Sequence, residues 1–121
     1  MAFFKEPKNN QNISWTKHAK EKMRYYQLSE NRLKRVLRNP KRIEKGIAPN
    51  TTAIMQPTGT KKHPTEIWLM YQIKNSKNKE QKTKVIKIIS AWRYPGVSPI
   101  GEPPPIPEDV LKDLKEYGFR N

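Results

Sequence analysis

The sequence predicts an α+β fold in which two N-terminal helices pack on an antiparallel sheet of three to four strands. Apolar residues recur at helical spacing up to residue 37, and strand-like runs rich in β-branched and aromatic residues replace them beyond residue 40. Six of the eleven prolines then lie between residues 94 and 107. Such a segment predicts an extended linker, and a short amphipathic stretch after it predicts a final helix.

Both N-terminal helices have recognisable start signals. The first is predicted over residues 17–26, with Thr16 or Ser14 as its N-cap. The second follows Ser29, a good N-cap residue, and ends at Asn39 because the proline after it disfavours a helical conformation there. The predicted buried stripes are Ala19, Met23 and Tyr26 in the first helix, and Leu33, Val36 and Leu37 in the second.

Four segments after residue 40 are candidates for strands. Residues 42–47 carry a weak signal, and residues 51–56 a better one because they contain β-branched Thr and Ile. Residues 66–73 alternate in a strand-like way. Residues 84–93 are apolar on both faces, which is typical of a central strand. The polar stretch 74–82 predicts a long hairpin loop.

The chain is predicted to have three parts. Residues 1–13 form a flexible basic arm, residues 14–95 the α+β domain, and residues 96–121 the linker and final helix. Pro107 suits the first turn of that helix and Gly118 its C-terminal cap. Its predicted apolar face consists of Val110, Leu114 and Tyr117.

The charge of the chain predicts a polyanionic partner. The 25 Lys and Arg residues outnumber 11 Asp and Glu, for a net charge of +14. Residues 1–101 carry +16 of this charge and residues 102–121 carry −2. So large a positive charge repels itself in a compact fold unless a polyanion is the usual neighbour, and we expect a nucleic acid, RNA in particular.

Several function classes are excluded or disfavoured by composition. The chain contains no cysteine, which excludes disulfides and thiolate metal sites. Its two histidines are far apart in sequence without clustered carboxylates, so we expect neither a metal nor another cofactor. The loop residue His63 is expected at the surface. There is no apolar run of membrane-spanning length, and we expect a cytoplasmic protein without a membrane partner.

The first helix carries the first candidate site. His18, Lys22 and Tyr25 lie within about 60° of one another on the helix, beside the apolar stripe rather than opposite it. A groove can form at such an edge, where a helix meets a sheet. The alternative is a boundary stripe of amphipathic side chains that extend to solvent.

The end of the last strand carries the second candidate site. Arg93 offers a bidentate match to phosphate, and Trp92 and Tyr94 offer faces on which a base can stack. Lys84 and Lys87 on the same strand can follow a nucleic-acid backbone. The alternatives are that Trp92 belongs to the core, Arg93 is a solvated strand end, and the lysines are a solvated strand face.

Three short stretches resemble a known pattern of small domains. They are WTKHAKEKM at residues 15–23, LS at residues 28–29 and VLRNP at residues 36–40. Together they resemble uncharacterised domains that open with H-A-x-x-R-M, which are similar to the BrnT and RelE-like toxin superfamily. The resemblance covers about residues 14–95 and implies two helices on a curved antiparallel sheet.

The resemblance also implies an activity. Active members of that superfamily are metal-independent ribonucleases that promote attack of a ribose 2′-hydroxyl on the adjacent phosphate. Carried over to this chain, His18 is the acid or base, while Lys22 and Arg93 are the phosphate-binding cations. Lys22 stands where the pattern has arginine, so it supplies charge without a bidentate fork. Tyr25 and Tyr94 are candidate proton donors or stacking surfaces.

Three hypotheses follow for the function. The first is an RNA-directed endoribonuclease, a toxin whose partner is an acidic antitoxin protein. The second is a non-catalytic module that binds RNA or DNA on the same fold. The third is a protein-interaction domain, with the acidic final helix docked on a partner or on the chain's own basic face.

Overall fold

The structure is a computed structural model that describes residues 7–9, 12–75 and 84–116. Its elements, in chain order, are β1 (Ile13–Trp15), α1 (Lys17–Tyr26), α2 (Glu30–Arg38), β2 (Arg42–Lys45), β3 (Thr52–Gly59), β4 (Pro64–Asn75), β5 (Lys84–Pro95) and α3 (Glu108–Glu116). Tyr117, Gly118 and most of the predicted hairpin loop lie outside the described residues.

The five strands form one mixed sheet in the order β1-β5-β4-β3-β2. The pairs β2–β3, β3–β4 and β4–β5 are antiparallel, whereas β1 runs parallel to β5. The predicted fold, a purely antiparallel sheet of three to four strands with a helix as its first element, was therefore wrong. The strand missed is β1, which begins at Ile13 in the predicted arm and is too short to show a periodicity of two.

The predicted helix starts are confirmed. The Thr16 side chain accepts a hydrogen bond from the Ala19 N–H, and the Ser29 side chain accepts one from the Arg32 N–H. Both therefore satisfy a donor that the first helical turn leaves without a partner. At its other end α1 closes on Gln27, which has a φ of 55° and a left-handed conformation that glycine usually adopts there.

Each face of the sheet is covered by a different part of the chain. Side chains of α1 and α2 pack on one face, with Met23 and Leu33 among the fully buried ones. The opposite face packs against the C-terminal segment through Ile106, Val110 and Leu114. Burying Val110 and Leu114 contributes roughly 1.5–3 kcal/mol each, so the tail is part of the fold.

Strand β5 lies between β1 and β4 and is buried on both faces, as predicted for a central strand. Its register with β4 shifts once, because Met70 pairs with Ser90 whereas Tyr71 pairs with Ile88. Ile89 is thus the extra residue of a β-bulge. Beyond the bulge, Ser90 shares with its partner Met70 the sheet face that the C-terminal segment covers.

Candidate nucleic-acid interface

Strand β1 ends at Trp15, and from there on helix α1 lies along the edge of β5 that β1 leaves open. The Thr16 hydroxyl donates a hydrogen bond to the Ile89 carbonyl at 3.1 Å. Two residues later, His18 Nε2 lies 2.9 Å from Ser90 Oγ. This position turns the predicted stripe of His18 and Lys22 toward the face of the sheet that carries the C-terminal segment.

Helix α3 occupies the space beside that stripe. Lys22 Nζ lies 2.8 Å from Asp109 Oδ2 and 2.8 Å from Asp113 Oδ2. The Tyr26 hydroxyl donates to Asp109 as well, at 3.0 Å to Oδ1. Asp113 Oδ2 is also 3.9 Å from His18 Nδ1. The acidic tail therefore pairs with the histidine and lysine that the sequence singled out.

The electrostatics of this contact follow from burial and close pairing. Burial alone would lower the pKa of Lys22, but hydrogen bonds to Asp109 and Asp113 outweigh it and raise that pKa. Burial would likewise raise the pKa of Asp109, yet hydrogen bonds from Lys22 and Tyr26 bring it below its usual value. Both groups are charged near neutral pH.

His18 is 2 % exposed, and its lowered pKa favours the uncharged imidazole near neutral pH. Burial, followed by the nearby Lys22 ammonium, lowers its pKa below the ordinary histidine value, although Asp113 acts in the opposite direction. A neutral imidazole can act as a proton acceptor. In this conformation, however, His18 lies beneath α3 and its Nε2 contacts the fully buried Ser90 hydroxyl.

Arg93 does not converge with the other two predicted catalytic residues. Its Nε donates to the Tyr26 carbonyl at 2.8 Å, and its Nη2 donates to the Gln27 carbonyl at 3.2 Å. These bonds place it at the C-terminal end of α1, about 12 Å along the helix axis from His18 at 1.5 Å per residue. Arg93 caps the helix with its charge.

The three predicted aromatic contact residues lie in different environments. The ring of Trp92 is 0 % exposed and stacks on Trp68, with centroids 6.2 Å apart. Tyr94 packs against the same cluster and is half-buried. Tyr25 is 70 % exposed, with the Lys22 ammonium 5.5 Å from its ring centroid. Of the three, Tyr25 alone has an open ring for a base in this conformation.

The two predicted lysines of β5 also differ. Lys84 is exposed at the start of the strand. Lys87 is half-buried, and contact with the Lys74 ammonium, together with burial, lowers its pKa. Two neighbouring ammonium groups on paired strands form a local positive field that favours an anion.

A cluster of three arginines forms a second cationic feature, on the face of the sheet that α1 and α2 cover. Burial and then the charges of Arg35 and Arg93 lower the pKa of Arg32. Arg32 is held by Gln56, whose Oε1 accepts a hydrogen bond from Nη1 at 2.7 Å. In the described part of the chain, these three arginines, here termed the arginine cluster, have no carboxylate within 4 Å.

The sequence analysis missed most of this cluster. Arg32 and Arg35 are three positions apart on α2, a spacing that places them side by side on one helix face. That spacing was a usable signal. No local signal, however, showed that Arg93 would approach them, because it lies on strand β5, 61 positions from Arg32.

A buried polar network holds the start of the C-terminal segment. Glu66 Oε1 accepts hydrogen bonds from Trp68 Nε1 at 3.0 Å and from Ser98 Oγ at 2.6 Å. Arg42 Nη1 donates to Ser98 Oγ at 2.6 Å, and its guanidinium lies 5.1 Å from the Trp68 ring centroid. The network anchors the linker on the sheet.

Among the residues that the structure describes, no group of three or more His, Cys, Asp and Glu is placed to hold a metal ion. Nor does any helix within those residues have the length and apolar character needed to cross a membrane. No protein-family model, curated protein or solved structure matches the chain.

Proposed function

We propose that the protein binds RNA, and that the arginine cluster contacts the phosphates. The observation that carries this proposal is that Arg35 and Arg93 both lie near enough to Arg32 to act on its charge, while no carboxylate among the described residues pairs with any of the three. Each guanidinium has five N–H donors, and the contacts of Arg32 and Arg93 use one and two of them. The remaining donors are available for phosphate oxygens.

Two of the three arginine side chains are also held in place before any ligand arrives. Gln56 accepts a hydrogen bond from the Arg32 guanidinium, and Gln56 is itself held because its Nε2 donates to the backbone carbonyl of Arg35 at 3.2 Å. Arg93 is fixed by two carbonyls at the end of α1. Fixed side chains lose less conformational entropy on binding. The ligand proposed is RNA and not DNA, because residues 14–95 resemble domains that are similar to a superfamily of ribonucleases. The proposed location is the cytoplasm.

The test is the salt dependence of binding to a single-stranded RNA oligonucleotide. Replacing Arg32 and Arg35 with glutamine removes two phosphate contacts, and we expect the slope of log K against log salt concentration to fall by about 1.4. The matched control replaces Lys61 and Lys62, two exposed lysines of the loop between β3 and β4, with glutamine. Equal slopes for the two variants would contradict the proposal, and a DNA oligonucleotide of the same sequence tests the preference.

A second proposal is metal-independent cleavage of RNA, which a toxin paired with an acidic antitoxin would perform. The observation that favours it is the position of the neutral His18 imidazole beside the Lys22 ammonium. The imidazole would take the proton of a ribose 2′-hydroxyl while its oxygen forms a bond to the adjacent phosphorus and the P–O5′ bond breaks. The resulting imidazolium would return the proton to the leaving 5′-oxygen, and the ammonium would stabilise charge on the phosphate. Arg93 lies too far along α1 to join them, so binding without cleavage is the better supported function.

Cleavage is tested by incubating purified protein with RNA in the presence of a chelator. Because α3 covers His18, the assay includes the variant with Asp109→Asn and Asp113→Asn beside the wild type. Cleavage that His18→Ala abolishes, with folding and RNA binding intact, supports the second proposal. If no RNA is cut by either protein while both bind RNA, the protein is a binding module alone.

A further inference from the structure

We infer that α3 is a displaceable tail helix that covers a second binding surface, one that takes unpaired RNA. The inference rests on the proposed RNA-binding function and extends it to a different part of the molecule. The covered surface, here termed the tail-helix site, consists of Lys22, Tyr26 and the sheet face that carries Trp92.

The two carboxylates of α3 hold the positions that phosphates would take on this surface. Asp109 and Asp113 both lie 2.8 Å from Lys22 Nζ, and Asp109 also accepts from the Tyr26 hydroxyl. These are charge-assisted contacts of the kind that phosphate oxygens make with lysine and tyrosine. An acidic segment at this point lowers the positive field of a body that carries +16.

Beneath α3 lie the aromatic residues that unpaired bases require. Trp92, Trp68 and Met70 form one cluster with Val110 and Leu114, and Tyr94 packs against it. Displacement of α3 would take Val110 and Leu114 out of this cluster and so open its aromatic residues to solvent near Lys22. Aromatic rings next to cations bind single-stranded nucleic acid by stacking, whereas a paired duplex offers no free base faces.

Helix α3 is short and is held by few buried side chains, so it can be displaced from the sheet. The helix has nine residues, and helices of that length are marginal in water without tertiary contacts. Among the side chains of α3 that the structure describes, Val110 and Leu114 are the fully buried ones. The proline-rich linker remains anchored at Ser98 by Glu66, so a displaced α3 stays tethered and competes with RNA from within the same molecule.

The experiment measures RNA affinity in two charge-matched variants of the full chain. Asp109→Asn with Asp113→Asn removes the carboxylates that pair with Lys22, while Glu102→Gln with Glu108→Gln removes two exposed carboxylates of the tail. Both variants gain the same net charge. We expect the first to bind a single-stranded RNA about tenfold more tightly than the second, because it populates the open state more. A duplex RNA should bind the two variants equally.

A second measurement follows the opening of helix α3 directly. Amide hydrogen exchange at residues 108–116 of the wild type should accelerate when single-stranded RNA saturates the protein, and stay unchanged with duplex RNA. Val110→Ala, which changes no charge, should also tighten single-strand binding. The inference is overturned if the two charge-matched variants bind alike, or if exchange in α3 is unaffected by RNA.

The outcomes also separate this inference from the proposed function. If Arg32→Gln with Arg35→Gln weakens RNA binding while both tail variants behave alike, the arginine cluster binds RNA and the tail-helix site does not. If α3 opens in the Asp109→Asn, Asp113→Asn variant without a gain in affinity, RNA does not use the uncovered surface and the inference fails. If no variant binds RNA, both proposals fail together.

Discussion

The ammonium of Lys22 lies 2.8 Å from a carboxylate oxygen of Asp109, which joins the first helix to the last across 87 positions of the chain. Lys22 is buried, whereas Asp109 is partly exposed. We expect Lys22→Met, which keeps the aliphatic stem but removes the charge, to lower the free energy of unfolding by about 1–2 kcal/mol. The loss arises because two neighbouring carboxylates would remain without their shared cation.

The control for this substitution is Lys17→Met on the same helix. Lys17 is exposed and forms no ion pair with a described residue. Its replacement should change the free energy of unfolding by less than about 0.5 kcal/mol. Urea denaturation of the three proteins measures the difference. Equal stabilities for the two variants would show that the contact between α1 and α3 contributes nothing to the fold.

The folded protein should lose stability on mild acidification because of His18. Burial and Lys22 lower its pKa in the folded state, so the unfolded chain, with a histidine pKa of about 6.5, takes up the proton first. The contribution of His18 to stability should be constant above neutral pH and fall as the pH drops through that value. Asp109, whose pKa is also lowered, should add a further loss only below about pH 4.

Urea midpoints measured between pH 8 and pH 5 check this profile. The His18→Gln variant keeps a polar side chain that does not titrate, and it should lose less stability than the wild type over this range. If the wild type instead became more stable toward pH 5, the prediction would be wrong, because the pKa of His18 would then be raised in the folded state.

Ser98→Ala should loosen the C-terminal segment. The Ser98 hydroxyl donates to the buried Glu66 carboxylate and accepts from Arg42. Its removal leaves a buried carboxylate with one fewer donor, at a cost of about 1–3 kcal/mol. Hydrogen exchange in α3 should accelerate in parallel. Val97→Ala, at an exposed neighbouring position, is the control, and similar exchange in both variants would argue against anchoring by Ser98.

Gln27→Gly should stabilise the protein. Gln27 ends α1 with a φ of 55°, where a side chain costs about 1 kcal/mol and glycine costs little. The backbone bonds of residue 27 to α1 and to Arg93 do not need the side chain. We expect the free energy of unfolding to rise by about 0.5 kcal/mol after the larger entropy of unfolded glycine is deducted. Thermal denaturation measures this, and a lower melting temperature would refute it.

Much of the secondary structure was predictable because its signals are local. Thr16 and Ser29 cap the helices at the expected positions, since a cap depends on three or four neighbouring residues. The apolar runs of β4 and β5 predicted long strands, and β5 proved to be buried on both faces. The three-residue strand β1 was missed because its parallel pairing with β5 joins residues 73 positions apart.

For the candidate site, the sequence by itself determined which residues could take part. Helical spacing placed His18 beside Lys22, and the excess of lysine and arginine predicted a polyanionic partner. The tertiary structure alone decided how these residues are used. In the folded protein Lys22 pairs with the tail, Trp92 is buried, and Arg93 lies in the arginine cluster. The physical reason is that pairing and burial depend on which distant segments meet, and no local pattern encodes that meeting.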